Sequence, residues 1–184
     1  IRGGGAPKFL NVVVLLEESL GAEFVGAYGD TRGLTPNLDR LAAHGLRFSQ
    51  FYNTARCSPS RASMLTGLHP HQTGIGILTY DSGPEGYAGN LNQQCVTIAE
   101  VLKSAGYATY MTGKWHVTKV TKPKNEADKH NWPLQRGFDR FYGFLDGFTD
   151  YHHPHQMIVD NTVLAIDEYP DGYYLTDDLT DRAI

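Results

Sequence analysis

Leu10 to Leu16 is an apolar run rich in β-branched valine, broken only by Asn11, and the polar residues Glu17, Glu18 and Ser19 close it. A strand with one wet face alternates apolar and polar residues, so a run of this kind reads as a strand covered on both faces. Such strands belong to parallel sheets held between helices, which points to the α/β class. The helices that this class needs are signalled downstream. Thr35-Pro36 reads as N-cap and first helical position, Leu38, Leu41 and Ala42 as an apolar face, and Gly45 as the end. Thr97 and Glu100 have capping-box spacing, ahead of a buried stripe of Ile98, Val101, Leu102 and Ala105 that Gly106 terminates. Ala108 to Thr112 is a further strand, delivering Gly113-Lys114-Trp115-His116 at its end, and a last helix begins in Thr176 to Ile184. Leu46 to Tyr52 reads as extended, Thr118 to His130 as a polar lysine-rich loop, and Gly137 to Gly147 as irregular aromatic structure over the core. The expected fold is α/β, with a mainly parallel sheet flanked by helices.

The chain's 184 residues suit one ordinary domain, and 41% hydrophobic with 20% charged residues is a globular balance. A net charge of -4 argues against a general nucleic-acid binder, which needs concentrated Lys and Arg. No apolar run approaches the roughly 20 residues of a membrane-spanning helix. Two cysteines, Cys57 and Cys95, do not make a disulfide framework.

Chemistry concentrates in Cys57-Ser58-Pro59-Ser60-Arg61-Ala62-Ser63-Met64-Leu65-Thr66-Gly67. Ser58 reads as N-cap of a helix over Pro59 to Leu65. A helix N-terminus favours anions, and an arginine four residues beyond the cysteine lies one turn along the same face. The pattern holds an anion beside a reactive thiol. In α/β folds sites gather at the carboxyl ends of strands, and Glu18 and Lys114 both fall at such ends.

The Cys-x-Pro-Ser-Arg pattern at 57–61 matches the signature of type I, formylglycine-dependent sulfatases. The likeness continues in Asn11 to Leu16, in Tyr28-Gly29 and in Leu34 to Ala42. Gly113-Lys114-Trp115-His116 resembles the family's second signature. Gly137-Phe138-Asp139, Phe141-Tyr142-Gly143 and Gly172 to Leu179 resemble its arylsulfatase branch, within the alkaline phosphatase superfamily. Because family members are longer, residues 1–184 are expected to form the N-terminal portion of a larger sulfatase-like catalytic domain, with the sheet incomplete in this chain.

The resemblance implies a sulfuric ester hydrolase acting on aryl or small alkyl sulfates. Cys57 would become formylglycine, with a formylglycine-generating or maturase enzyme as partner. Arg61 would stabilise its hydrated form, Lys114 would bind a sulfate oxygen, and His116 would assist the nucleophile. A divalent cation is implied, calcium first and magnesium or manganese next, with Glu18, Ser19 and the group at Cys57 among its ligands. Further ligands and a C-terminal partner segment are expected from the rest of the protein, and a periplasmic or secreted location is favoured. Where the family carries two adjacent aspartates, this chain has Glu18 and Ser19, which lowers the ligand charge. The Glu-Ser pair resembles the lipoteichoic acid synthase-like branch of the superfamily, although Cys57 and Gly113 to His116 disagree with it. Phosphodiester or phosphonate monoester hydrolysis is therefore the alternative, and a non-catalytic homologue a further one. His152, His153 and His155 read as surface residues on a loop, and His69 and His71 as structural or pocket-wall groups.

Overall fold

A computed structural model describes residues 10–119, 124 and 128–184. It divides into two compact units, 1–51 and 52–184.

In the first unit, helix α1 spans Pro36–His44, with Thr35 ahead of Pro36 as the sequence predicts. The Thr35 side chain makes no cap hydrogen bond to the helix. Its hydroxyl accepts the Gly26 N–H at 3.0 Å and donates to Asp39 Oδ1 at 3.1 Å, while Ala27 N–H donates to the same Asp39 oxygen at 2.7 Å. The start of α1 thus pins the single-turn helices Ala22–Phe24 and Gly26–Tyr28. The strand expected at Leu10 to Leu16 is not formed. The segment has no regular secondary structure, no described residue pairs with it in a sheet, and Val13 is 88% exposed. A strand wet on neither face needs neighbours on two edges and layers above and below. The unit's described residues supply one helix and two tight turns instead. Leu41 is exposed for the same reason, so the apolar face of α1 is covered only in part.

The second unit begins with α2, Cys57–Thr66, which Gly67 ends in the left-handed conformation at φ 69°. The helix starts earlier than the sequence suggests: Arg56 stands at the N-cap, and Ser58 lies fully buried within the first turn. Pro59 is tolerated there because first-turn amides have no intrahelical acceptor. A single turn, α3 (Pro70–Thr73), follows. Helix α4, Ile98–Ser104, carries the expected capping box: Glu100 N–H donates to Thr97 Oγ1 at 3.1 Å and Thr97 N–H to Glu100 Oε2 at 2.6 Å. Its packed face is not the expected stripe. Ala99 is buried, whereas Ile98 and Val101 are exposed. The small face wins because the chain at Gly137 lies directly against the backbone of Glu100, where a Cβ at 137 would collide.

Strands β1 (Tyr110–Lys114) and β2 (Arg140–Phe144) are parallel, with Gly113 opposite Gly143. The hairpin β3 (Ile158–Val159) and β4 (Thr162–Val163) continues the sheet antiparallel, in the order β1-β2-β3-β4. Among the described residues the sheet is mixed, and its longest ladder is the parallel β1–β2 pair. Strand β2 lies inside the segment read as irregular. The glycine that suggested irregularity serves close approach, because a Cβ at 143 would collide with the Gly113 carbonyl oxygen. Trp115, Trp132, Phe141, Leu145 and Ile158 form the centre of the core with Ala62, Ile75, Leu91, Cys95 and Val117. Buried Trp115 donates from Nε1 to the Asn131 carbonyl at 2.8 Å and meets Phe138 edge-on. Helix α5, Leu175–Ala183, packs by Leu175 and Leu179 on Phe144 and Met157. The loop expected over 118–130 lies partly outside the described residues.

Candidate active site

Helix α2 carries two of the expected residues, and one of them, Arg61, reaches the end of β1. Cys57 is the first residue of α2, half-buried, with a free thiol. Arg61 stands one turn along, on the same helical face. Ala62, its neighbour, is fully buried in the same cluster as Trp115 and Val117, which sets the inner face of α2 beside the end of β1. Arg61 then makes the junction explicit: Nη1 donates to the Lys114 carbonyl oxygen at 2.6 Å. One of its nitrogens thus ties the helix to the last residue of β1.

Lys114 ends the strand, at the carboxyl edge where α/β proteins place their chemistry. Two ladder-like bonds carry β1 beyond it, from Trp115 N–H to Phe144 O at 2.9 Å and from His116 N–H to Leu145 O at 3.0 Å. His116 is 7% exposed and sits at φ 51°, the left-handed region that costs a non-glycine residue on the order of 1 kcal/mol. Fully buried Trp115 and Val117 on either side hold that strained backbone in place. Ser58 Oγ is buried in the first turn of α2 with no hydrogen-bond partner among the described residues, and Ser60 Oγ pairs with Thr54 Oγ1 at 2.8 Å.

Glu18 and Ser19 belong to the other unit. Both are exposed, and Ser19 sits at φ 63°. They offer one carboxylate and one hydroxyl, short of the roughly six to eight oxygens calcium takes. Among the described residues, no three His, Cys, Asp or Glu side chains converge as a cation site. His152, His153 and His155 are exposed, as expected for a surface loop. They turn to separate partners: the Tyr173 carbonyl at 2.9 Å, Asp150 at 3.8 Å and Thr149 at 3.2 Å. His71 bridges His69 Nδ1 at 3.2 Å and the Tyr87 hydroxyl at 2.9 Å, on the surface.

Two features were not anticipated. Gly147 lies against the His116 imidazole, a steric relation with no local sequence signal. Asp139, read only as part of a motif, organises the entry to β1. Its Oδ2 accepts the Thr109 N–H at 3.0 Å, and its other oxygen meets Lys103 Nζ at 2.6 Å. The Lys103 hydrogen bond first, and the Thr109 amide next, hold its carboxyl below the ordinary range.

Residues 10–184 match the family model described as Sulfatase. Among curated proteins the chain is 42% identical to human arylsulfatase A over 136 residues, covering 72% of this chain and 25% of that protein. It is 37% identical to mouse steryl-sulfatase, covering 76% and 23%, and 34% identical to the arylsulfatase of Klebsiella aerogenes, covering 89% and 36%. The chain thus spans between 23% and 36% of the length of these relatives. A crystal structure of Ps i-CgsB in complex with k-i-k-neocarrahexaose shares the fold at TM-score 0.69 and 28% identity, covering 89% of this chain and 38% of that one. A structure in complex with its substrate D-glucosamine-2-N,6-O-disulfate does so at TM-score 0.62 and 30% identity, covering 88% and 28%. With the match running from residue 10 to residue 184, the chain belongs to the sulfatase family.

Proposed function

We propose that this protein hydrolyses aryl or small alkyl sulfate esters through a formylglycine made from Cys57. The observation that carries the reading is the junction of Arg61 with Lys114, which joins the helix bearing Cys57 to the strand end bearing Lys114 and His116. In the preceding modification, a formylglycine-generating or maturase enzyme uses its own oxidant to take two electrons and two protons from the Cys57 thiol and β-carbon, water supplies the aldehyde oxygen, and the sulfur leaves as sulfide. Water adds to give a geminal diol. One hydroxyl attacks the ester sulfur, the sulfur–oxygen bond to the alcohol breaks, and the alcohol departs with a proton. The second hydroxyl then loses its proton as the carbon–oxygen bond to sulfate breaks, restoring the aldehyde. A serine or thiol adduct has no second hydroxyl and lacks that exit.

Arg61 holds the diol and the charge beside it, Lys114 binds a sulfate oxygen, and His116 moves the proton of the attacking or departing group. Glu18 and Ser19 are assigned as part of the ligand set of a divalent cation, calcium first. The remaining ligands are assigned to parts of the protein outside residues 1–184, and the chain to the N-terminal portion of the catalytic domain. A periplasmic or secreted location accompanies the assignment.

The test is turnover by the full-length protein of 4-nitrophenyl sulfate, a steroid sulfate and N-acetylgalactosamine 6-sulfate, beside phosphate mono- and diesters. Preferred turnover of the aryl sulfate supports the proposal. Preferred turnover of a phosphodiester would transfer the assignment to that reaction, which the uncharged Ser19 favours. Absence of all turnover together with absence of cation binding would make the protein a non-catalytic homologue.

A further inference from the structure

We propose that Gly147 is a positioning residue for His116, setting the plane of the imidazole by leaving no room between ring and main chain. The inference rests on the reading of His116 as part of the sulfate-ester site. A Cβ at position 147 would lie 2.8 Å from His116 Cε1, 2.9 Å from Nε2 and 3.4 Å from Nδ1. Contacts below about 3 Å are closer than close-packed carbon atoms tolerate. The glycine is not required by its backbone, which lies outside the left-handed region. Its purpose is the missing side chain.

The ring has little room to retreat. His116 is 7% exposed and flanked by fully buried Trp115 and Val117, and its N–H is bonded to Leu145 O. The same short segment therefore grips residue 116 twice, by a main-chain bond at Leu145 and by van der Waals contact at Gly147. Asp146 fixes the second grip, since its Oδ1 accepts the Gly147 N–H at 2.6 Å. A side chain at 147 has to displace the imidazole, and sub-ångström displacement of a proton-transferring group is costly in rate.

The test compares Gly147→Ala, His116→Ala and the double variant in the full-length protein. Five quantities are measured: kcat and KM for 4-nitrophenyl sulfate, the pH–rate profile, thermal stability, and the His116 imidazole resonances by NMR. Gly147→Ala should lower kcat about 10- to 100-fold with KM changed by less than about threefold. The profile limb that depends on His116 should move, and the His116 resonances should shift. In the His116→Ala background the same substitution should have almost no further effect, because the group it presses on is gone. Unchanged kcat, profile and resonances in Gly147→Ala would overturn the proposal. If Gly147→Ala fails to fold, recovery of folding in the double variant supports the clash with the imidazole, and failure of both contradicts it. If the parent protein turns over no sulfate ester, the functional reading fails on its own, and the NMR shift still decides whether Gly147 positions His116.

Discussion

Arg61 Nη1 donates to the Lys114 carbonyl oxygen at 2.6 Å, so a side chain from the first turns of α2 holds the last peptide of β1. The bond spans 53 residues of sequence and joins α2 to the end of β1. Hydrogen bonds from a charged donor contribute about 1.5–3 kcal/mol, and the half-buried setting places this one toward the lower part of that range. Arg61→Ala is expected to lower unfolding free energy by about 1–2 kcal/mol and turnover by about 100-fold or more. Arg61→Lys should recover part of the stability and little of the rate, because an ammonium cannot hold the carbonyl and the reacting group together. Urea denaturation and 4-nitrophenyl sulfate kinetics check both.

Thr97 serves two elements with one hydroxyl, which accepts the Glu100 N–H and donates to the Arg136 carbonyl at 2.7 Å. Thr97→Ala should cost about 1–2 kcal/mol, the upper part of the usual N-cap range, since a buried carbonyl loses its donor as well. Thermal unfolding followed by circular dichroism measures it. Thr97→Ser should retain most of the stability.

Asp139 is expected to make the protein acid-sensitive. Folding lowers its pKa, through Lys103 first and then the Thr109 amide. The folded state therefore binds its proton less readily than the unfolded chain. The stabilisation is complete above the ordinary carboxylate pKa of about 3.9 and is lost as pH falls through the lower folded value. Urea midpoints of the parent and Asp139→Asn should differ at neutral pH and converge in strong acid. A constant difference across that range would contradict the assignment.

Tyr142 of β2 donates to Asp178 Oδ2 at 2.5 Å and so fastens α5 to the sheet, and Tyr173, just ahead of α5, donates to the same oxygen at 2.7 Å. Burial first, and the Asp178 carboxylate next, push both phenols well above the ordinary range. The unfolded chain releases these protons near pH 10 and the folded chain retains them, so stability should fall as pH rises beyond about 10. In alkaline ultraviolet titration both phenolate signals should appear late. Asp178→Asn should bring them part of the way back, since burial remains.

Local signals in the sequence predict the structure where neighbouring residues decide it. The Thr35-Pro36 start of α1, the Thr97–Glu100 box and the strand leading to Lys114 all occur as expected. Local signals do not predict the structure where distant chain decides it. Leu10 to Leu16 has the composition of a buried strand, yet composition cannot supply the neighbours that pair and cover it. Gly143 looked like a breaker because its reason for being glycine, the Gly113 carbonyl, lies 30 residues away in sequence and one strand away in space. The same holds for the site. Cys57, Arg61, Lys114 and His116 were legible as motif residues, whereas the Arg61–Lys114 bond and the contact of Gly147 with His116 are tertiary facts without a local pattern.

The central claim is that position 57 is a formylglycine, and the most direct measurement is the mass of the peptide spanning Cys57 in protein purified from its native source. Conversion replaces the thiol carbon's sulfur and two hydrogens by one oxygen, so a peptide about 18 Da lighter than its cysteine form is expected, with the change localised to residue 57 by fragmentation. A peptide carrying only an intact, alkylatable Cys57 thiol would contradict the account.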